Sequence, residues 1–458
     1  MKQTNISRLA RGWTLLACLA VVLTGILLSL PALAQQPKLS DDPALKAEYD
    51  ALFAQTLKDP ANVGASFRYA DVATRMGDFE AAIGALERII FYSPNLPRVR
   101  LELGVLYFRL GSYEMARSYF ESAISGDDVP PAVRNRVAGF LTEIERRLQT
   151  TQMMFFGQVG LRYQSNANAG PNSPNVRALG YDAILSRQYT KKADWNTFGL
   201  AGFRYIYDLG NQRGDVLEAQ ATTYYARQFD VTRLNTGLVE ASFGPRLALA
   251  PDELPGWSIK PYVLGGGVTL GDNPYLVSTG GGVSFAIPLT SALLEPGYEI
   301  RRRSYRNSSE IPNATDQRGL VHTVYMNASA PITMEWRWNT RLAFNRVDAR
   351  VNHYSYRSFA ADAGLIYEFS PSFVESARKW VLNPFVGYTQ TRYDEANWIV
   401  DPYTRRRDRE WRIGSGLDMP LWPNAGLGLL VQYTNVRSNI PNYSTRNFSV
   451  TFGPTVKF

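Results

Sequence analysis

Histidine and cysteine are nearly absent: two His, at 322 and 353, and one Cys, at 18, in 458 residues. A metal centre draws several imidazole, thiolate or carboxylate ligands together at set spacings, and two histidines expected on different strands do not supply one. A lone cysteine excludes a disulfide within the chain. No Gly-x-Ser-x-Gly elbow lies between a strand and a helix, and no Ser–His pair has a visible third partner. Catalytic, cofactor-binding and metal residues are therefore not assigned, and enzyme activity is not expected. Long apolar runs are as scarce: beyond Trp13–Leu30 none could form a membrane helix, and the mean hydropathy of −0.22 is that of a soluble protein.

The apolar run that does exist has the layout of a secretory signal. Lys2, Arg8 and Arg11 precede it, and Ala32-Leu33-Ala34 offers small residues for cleavage before Gln35. Residues 1–34 are expected to be removed, and Cys18 with them. Leu15-Leu16-Ala17-Cys18 could be a lipidation site, but the apolar run continues past Cys18 where such a site would close it.

A helical repeat is expected next, over residues 35–150. Gly77, Phe79, Ala82 and Leu86 recur 34 positions later as Gly111, Tyr113, Ala116 and Phe120, the tetratricopeptide period. Small residues let paired helices approach, aromatic and leucine positions fill the space between them, and Gly ends the first helix of each pair. Gly77, Ala82, Gly104, Tyr107, Gly111, Ala116 and Phe120 are the expected repeat core. Helices starting near Pro43 and Pro131 should cap the stack.

From about residue 153 the many aromatics and glycines (26 Tyr, 22 Phe, 9 Trp and 36 Gly in the chain) fall into alternating segments. Strand starts are expected near 153, 194, 215, 234, 257, 275, 291, 318, 333, 353, 379, 406, 423 and 442. That makes about fourteen antiparallel strands, an even number as single-chain bacterial barrels have. In 334–345, Met334, Trp336, Trp338, Leu342 and Phe344 share one parity, and Glu335, Arg337, Asn339, Arg341 and Asn345 the other. Lipid outside and a wet lumen inside explain that split, so the second set are candidate lumen and substrate contacts. The longest connections, 166–193, 306–317 and 394–405, follow odd-numbered strands, as extracellular loops would. Thr451, Gly453, Val456 and the terminal Phe458 match the signal read by the barrel-assembly machinery of Gram-negative outer membranes.

The formal net charge of +8 is spread through strands and loops, so nucleic acid is not an expected partner. A basic lumen or rim is the simpler reading. Arg301-Arg302-Arg303 and Arg405-Arg406-Arg407 stand near expected extracellular strand ends, suited to lipopolysaccharide phosphate or to guiding an anionic substrate. Gly265-Gly266-Gly267 and Gly280-Gly281-Gly282 are expected to leave lumen space or permit bending.

The fold class is thus α+β multidomain: a signal peptide at 1–34, a periplasmic tetratricopeptide-type helical domain at 35–150, and a transmembrane antiparallel β-barrel at 151–458. With Gly160-Leu161-Arg162-Tyr163-Gln164-Ser165-Asn166-Ala167-Asn168 opening the first strand, this arrangement resembles the surface lipoprotein assembly modulator family, Slam. The resemblance implies an outer-membrane translocator that helps export or display a lipoprotein or other secreted protein client, with outer-membrane lipid around the barrel and no cofactor. The architecture is also similar to exopolysaccharide export porins. A plain diffusion porin with a helical appendage would need no client.

Overall fold

The computed structural model describes residues 42–458 except 95, 127–128, 212, 252, 309–310 and 373–377. The expected signal, residues 1–34, lies outside the described residues. The described chain divides into two compact units that meet between Thr150 and Thr151. No described helix is long and apolar enough to cross a membrane.

The first unit contains α1 (Pro43–Lys58), α2 (Val63–Met76), α3 (Phe79–Tyr92), α4 (Pro97–Arg109), α5 (Tyr113–Ala123) and α6 (Pro131–Leu148). Local chemistry sets the ends. Asp42, Asn62 and Asp78 cap α1, α2 and α3 by accepting from Ala44 N, Ala65 N and Ala81 N. Pro43, Pro97 and Pro131 each open a helix, where the missing N–H costs nothing. Gly77 closes α2 with φ 87°, its N–H returned to Ala73 O and Thr74 O, and Gly111 follows α4 with φ 76°.

The repeat positions make the core. Ala82, Ala116, Leu103 and Phe120 have no exposed surface. A Cβ on Gly104 would stand 2.7 Å from the Phe120 ring, so α4 and α5 reach their packing distance only because that side chain is missing. Phe120 in turn stacks on Phe140 of α6, with 4.9 Å between ring centroids. Tyr107 departs from expectation: it borders the core, half-buried, with its ring stacked on Tyr119 and its hydroxyl donating to Glu87 Oε1 at 2.6 Å. A phenol needs a partner for its oxygen, and this one finds it at the surface.

The second unit begins with β1 (Thr151–Gln164), followed by a small hairpin of β2 (Asn175–Ala178) and β3 (Tyr181–Ile184). The remaining strands are β4 (Asp194–Asp208), β5 (Val216–Gln228), β6 (Thr236–Ala248), β7 (Ser258–Leu270), β8 (Asn273–Pro288), β9 (Leu293–Tyr305), β10 (Gly319–Pro331), β11 (Trp336–Ala349), β12 (Tyr356–Phe369), β13 (Trp380–Ala396), β14 (Arg405–Pro420), β15 (Ala425–Ser438) and β16 (Thr445–Lys457). Apart from β2 and β3, every strand pairs with its sequence neighbours, and β1 pairs with β16, so fourteen antiparallel strands close a barrel. Their starts lie within three residues of those read from the sequence, the widest gaps being 333 against 336, 353 against 356 and 442 against 445.

Burial alternates along the strands. In β4, Asp194, Asn196, Phe198, Leu200 and Arg204 are buried while Trp195, Phe203 and Tyr207 are exposed. Exposed apolar side chains therefore cover the outside, and polar ones such as Glu218, Lys260, Arg412 and Gln432 are hidden within. Two loop expectations need correction. β13 runs on to Ala396, so the expected loop 394–405 shrinks to 397–404, and 249–257 and 370–379 make sizeable connections at the opposite end. The contrast between long and short connections is accordingly partial.

Candidate functional site

The interior wall of the barrel gathers the chemistry. We call the end at which the chain enters, at Thr151, the near end, and the opposite end the far end. On β11 the pleat turns Arg337, Asn339, Arg341 and Asn345 inward and Phe344 outward. Arg337 pairs with Glu368 at 2.5 Å. Arg341 donates to Asn327 Oδ1 at 2.8 Å and lies 4.5 Å from the Tyr325 ring centroid. Asn345 accepts from Thr323 Oγ1 and donates to Ser358 Oγ, while Asn339 lies over Gly364. Glu335 does not join them. It sits exposed in the turn before β11, 3.2 Å from Thr333 Oγ1, because the strand starts at Trp336 rather than 333.

Three interior clusters escaped the sequence reading. At the near end Glu218, 2 % exposed, receives Arg204 at 3.4 Å, Arg246 at 2.7 Å and Lys260 at 2.6 Å. Each cation comes from a different strand, and each would be costly to bury without this carboxylate. Further along, Arg301 reaches Glu240 at 2.5 Å and also Glu299, whose other oxygen lies 3.1 Å from Tyr262 Oη. Tyr262 and Tyr325 then meet hydroxyl to hydroxyl at 3.2 Å. Both rings lie flat over glycines: a Cβ on Gly282 would stand 2.6 Å from Tyr262 Oη, and one on Gly297 would strike Tyr325. The third cluster joins Arg412 to Asp362 at 2.8 Å and Glu410 at 3.4 Å. The available signal was parity, since Glu218, Arg246 and Lys260 occupy alternate positions with other inward residues; their meeting depends on neighbours in space.

The lumen is therefore a wall of opposed charges and not a basic one. The glycine runs act as seats for neighbouring groups on this wall: a Cβ on Gly266 would stand 2.5 Å from Val239 O. The pleat also divides the arginine triplets. Arg301 and Arg303 point inward and Arg302 outward; Arg406 points inward, and Arg405 and Arg407 outward. Arg406 is held between the rings of Tyr393 and Tyr443, 4.6 and 3.6 Å from their centroids, and pairs with Asp408 at 2.6 Å.

At the far end the Asn-rich opening anchors the longest loop. Asn166 donates to Gly170 O and Arg446 O, and Asn168 takes Lys192 N–H and donates to Thr190 O. The β2–β3 hairpin then docks on the loop before β14: Leu179 N and Gly180 N donate to Ile399 O and Val400 O, and Arg177 pairs with Asp401 at 3.3 Å. Burial works against charge on Asp401, but donors from Tyr403 N–H, Thr404 and Arg177 outweigh it and hold the carboxyl below its ordinary range.

The two histidines lie apart. His322 faces outward and bonds Tyr298 Oη at 2.7 Å, and His353 stands in the short turn Asn352–Tyr354 rather than on a strand. Among the described residues no group of three or more His, Cys, Asp or Glu could hold a metal. In β16, Thr451 and Gly453 face inward and Phe452 and Phe458 outward, with Val456 on the outward parity. Phe458 N donates to Phe155 O and Phe155 N to Phe458 O, both at 3.0 Å, so the last residue helps close the barrel on β1.

Comparison with known proteins matches residues 97–126 to the tetratricopeptide repeat model. No curated protein matches. Solved structures similar to this chain include the Yersinia enterocolitica type III secretion chaperone SycD in complex with a peptide of the translocator YopD, at 15% identity over 23% of this chain and 82% of that one, TM-score 0.21. PcrH in complex with the chaperone-binding region of PopD is similar at 17% identity over 30% of this chain and 97% of that one, TM-score 0.21. The anion-selective porin from Comamonas acidovorans is similar at 10% identity over 67% of this chain and 99% of that one, TM-score 0.33.

Proposed function

We propose that this chain is a non-enzymatic outer-membrane translocator, with the barrel in lipid, the helical unit in the periplasm, and a lipoprotein or other secreted protein as client. The observation that carries the reading is the barrel's polarity. Its outside exposes Trp411, Ile413, Val324 and Phe344, while Glu218, Arg204 and Lys260 are hidden inside. Water outside such a barrel would be an unfavourable solvent, whereas a bilayer takes the apolar face and leaves the polar wall to an aqueous path.

The helical unit supports a polypeptide client. A depression lined by Phe67, Leu96, Arg98 and Val99 opens at the first helices of the two pairs, with Arg98 5.9 Å from the Phe67 ring centroid. Phe91 and Tyr92 are exposed at 80% and 50%. Apolar ground beside a cation suits an extended chain with apolar and acidic side chains, and stacked repeats commonly bind along such surfaces. One observation favours polysaccharide instead: the Tyr262–Tyr325 pair offers hydroxyls and ring faces in the lumen.

Deleting the gene and comparing surface-exposed lipoproteins with secreted polysaccharide separates the two. Loss of a surface lipoprotein, reproduced by Phe67→Ala with Arg98→Glu in an inserted barrel, is the expected result. Loss of polysaccharide alone would favour the exporter, and loss of neither a plain porin.

A further inference from the structure

On the outer face near the far end, basic side chains oppose one another directly across five strands. His322 of β10 pairs with Arg346 of β11, Arg346 with Arg357 of β12, Arg357 with Arg392 of β13, and Arg392 with Arg407 of β14. Arg409 of β14 opposes Arg437 of β15. Like charges set directly opposite destabilise a sheet, so the barrel alone gains nothing from this row. Acids only partly answer it: Asp348 and Asp394 both hold Arg346 at 2.8 Å. Arg357, Arg392, Arg407, Arg409 and Arg437 are exposed, and no carboxylate among the described residues forms an ion pair with any of them.

The row also stands at a boundary. On the same outward parity, one or two pleats toward the near end, come Phe344, Phe359, Trp411 and Tyr433, exposed at 39–52%. Strands about 4.8 Å apart make the basic row roughly 19 Å long, with an aromatic row about 7–14 Å below it. A ligand that meets both rows carries several anionic groups on a polar head and apolar chains beneath.

We propose that this face seats the phosphate groups of a phosphorylated lipid in the leaflet at the far end, its acyl chains lying against the aromatic row. The proposal rests on the membrane reading above. Guanidinium forks bind phosphate in bidentate fashion, which arginines without a carboxylate partner can repeat along one headgroup, Arg392 exchanging the neutral Gln390 side-chain oxygen for a phosphate. Binding would also remove the repulsion stored in the row, so the lipid should stabilise the barrel. An acidic protein would match the charge but not the exposed aromatic side chains below it.

The test uses the full chain inserted into phosphatidylcholine vesicles with or without lipid A, a diphosphorylated acylated disaccharide, or its dephosphorylated form. Retained lipid is read by native mass spectrometry and barrel stability by heat-dependent gel mobility. Wild type should retain lipid A about tenfold over the dephosphorylated form, a difference readily resolved in affinity terms. Combined Arg357→Gln, Arg392→Gln and Arg407→Gln should abolish that preference and the added heat resistance. Lys46→Gln, Lys58→Gln and Arg68→Gln, an equal charge loss on exposed helical residues, should preserve both. An inserted triple variant that keeps the full preference, or a wild type that retains both lipid forms equally, overturns the proposal alone. A chain that inserts into no vesicle overturns the membrane reading, and this proposal with it.

Discussion

The two units of this chain differ in what they bury: the helical unit hides an apolar core, whereas the barrel hides charged groups beside apolar clusters such as Phe156, Phe198 and Leu200. In the helical unit Phe120, Leu103 and Ile89 are hidden, whereas in the barrel Phe344, Trp411 and Ile413 are exposed and Glu218, Arg204 and Lys260 are hidden. A core that excludes water is stabilised by apolar area and close packing. A wall that faces a wet path inside and an apolar medium outside needs the reverse, and its buried charges must then be matched by partners. The same residue types therefore carry opposite weight on either side of Thr150.

The largest effects should come from removing what each unit hides. Glu218→Ala leaves Arg204, Arg246 and Lys260 without their shared carboxylate, at a cost of about 3–5 kcal/mol. Phe120→Ala should cost about 3–5 kcal/mol through the lost aromatic and the cavity beside Gly104. Denaturant titrations of the reconstituted barrel and of a 42–150 fragment measure the two. If a polar deletion and an apolar deletion do not hurt comparably, each in its own unit, the inverted pattern has been misread.

Adding charge outside sharpens the contrast. Val324→Arg, on the exposed face midway along β10, should destabilise the inserted barrel by about 2–4 kcal/mol, because the new guanidinium would face hydrocarbon. Ala54→Arg, on the exposed face of α1, should change stability by no more than about 0.5 kcal/mol. Packing supplies a smaller effect: Gly104→Ala drives a methyl into the Phe120 ring and should cost about 1–3 kcal/mol, seen as a lowered midpoint for the helical unit alone.

The smallest effect is a pH response at the far end. The Asp401 carboxyl is held below its unfolded value of about 3.9, so its contribution is complete above about pH 5 and is lost as pH falls through the folded value. Hydrogen exchange at Leu179 and Gly180 should therefore rise on acidification below pH 4, once corrected for its intrinsic pH dependence, and less so in Asp401→Asn. Protection that is flat with pH in the wild type would mean that the Arg177–Asp401 pair does not hold the hairpin.

Much of this was legible in the sequence, for physical reasons that vary by residue. The fourteen strands could be counted because an outside and an inside of opposite polarity force a period of two, and that period survives any loop length. The helical pairs were legible because Gly77, Phe79, Ala82 and Leu86 recur as Gly111, Tyr113, Ala116 and Phe120 in a fixed 34-residue frame, which the packing of paired helices imposes. Glu335 was misplaced because a strand boundary moved by three residues carries its first side chains into the turn. Tyr107 was placed too deep because its ring, but not its hydroxyl, suits a core. The arginine triplets read as blocks because runs of one residue hide the pleat that sends Arg406 inward and Arg405 and Arg407 outward. The row from His322 to Arg407 and the cluster at Glu218 depend on register between strands, which a linear sequence does not display.

The central claim is that adjacent residues of one strand meet different solvents. It is tested most directly on β11 in a Cys18→Ser background, with Arg341→Cys and Leu342→Cys each inserted into vesicles and exposed to a water-soluble maleimide and to a lipid-borne quencher. The expected result is that position 341 reacts with the maleimide and 342 does not, while a probe at 342 is quenched from the lipid. Equal labelling and equal quenching at the two positions would contradict the account.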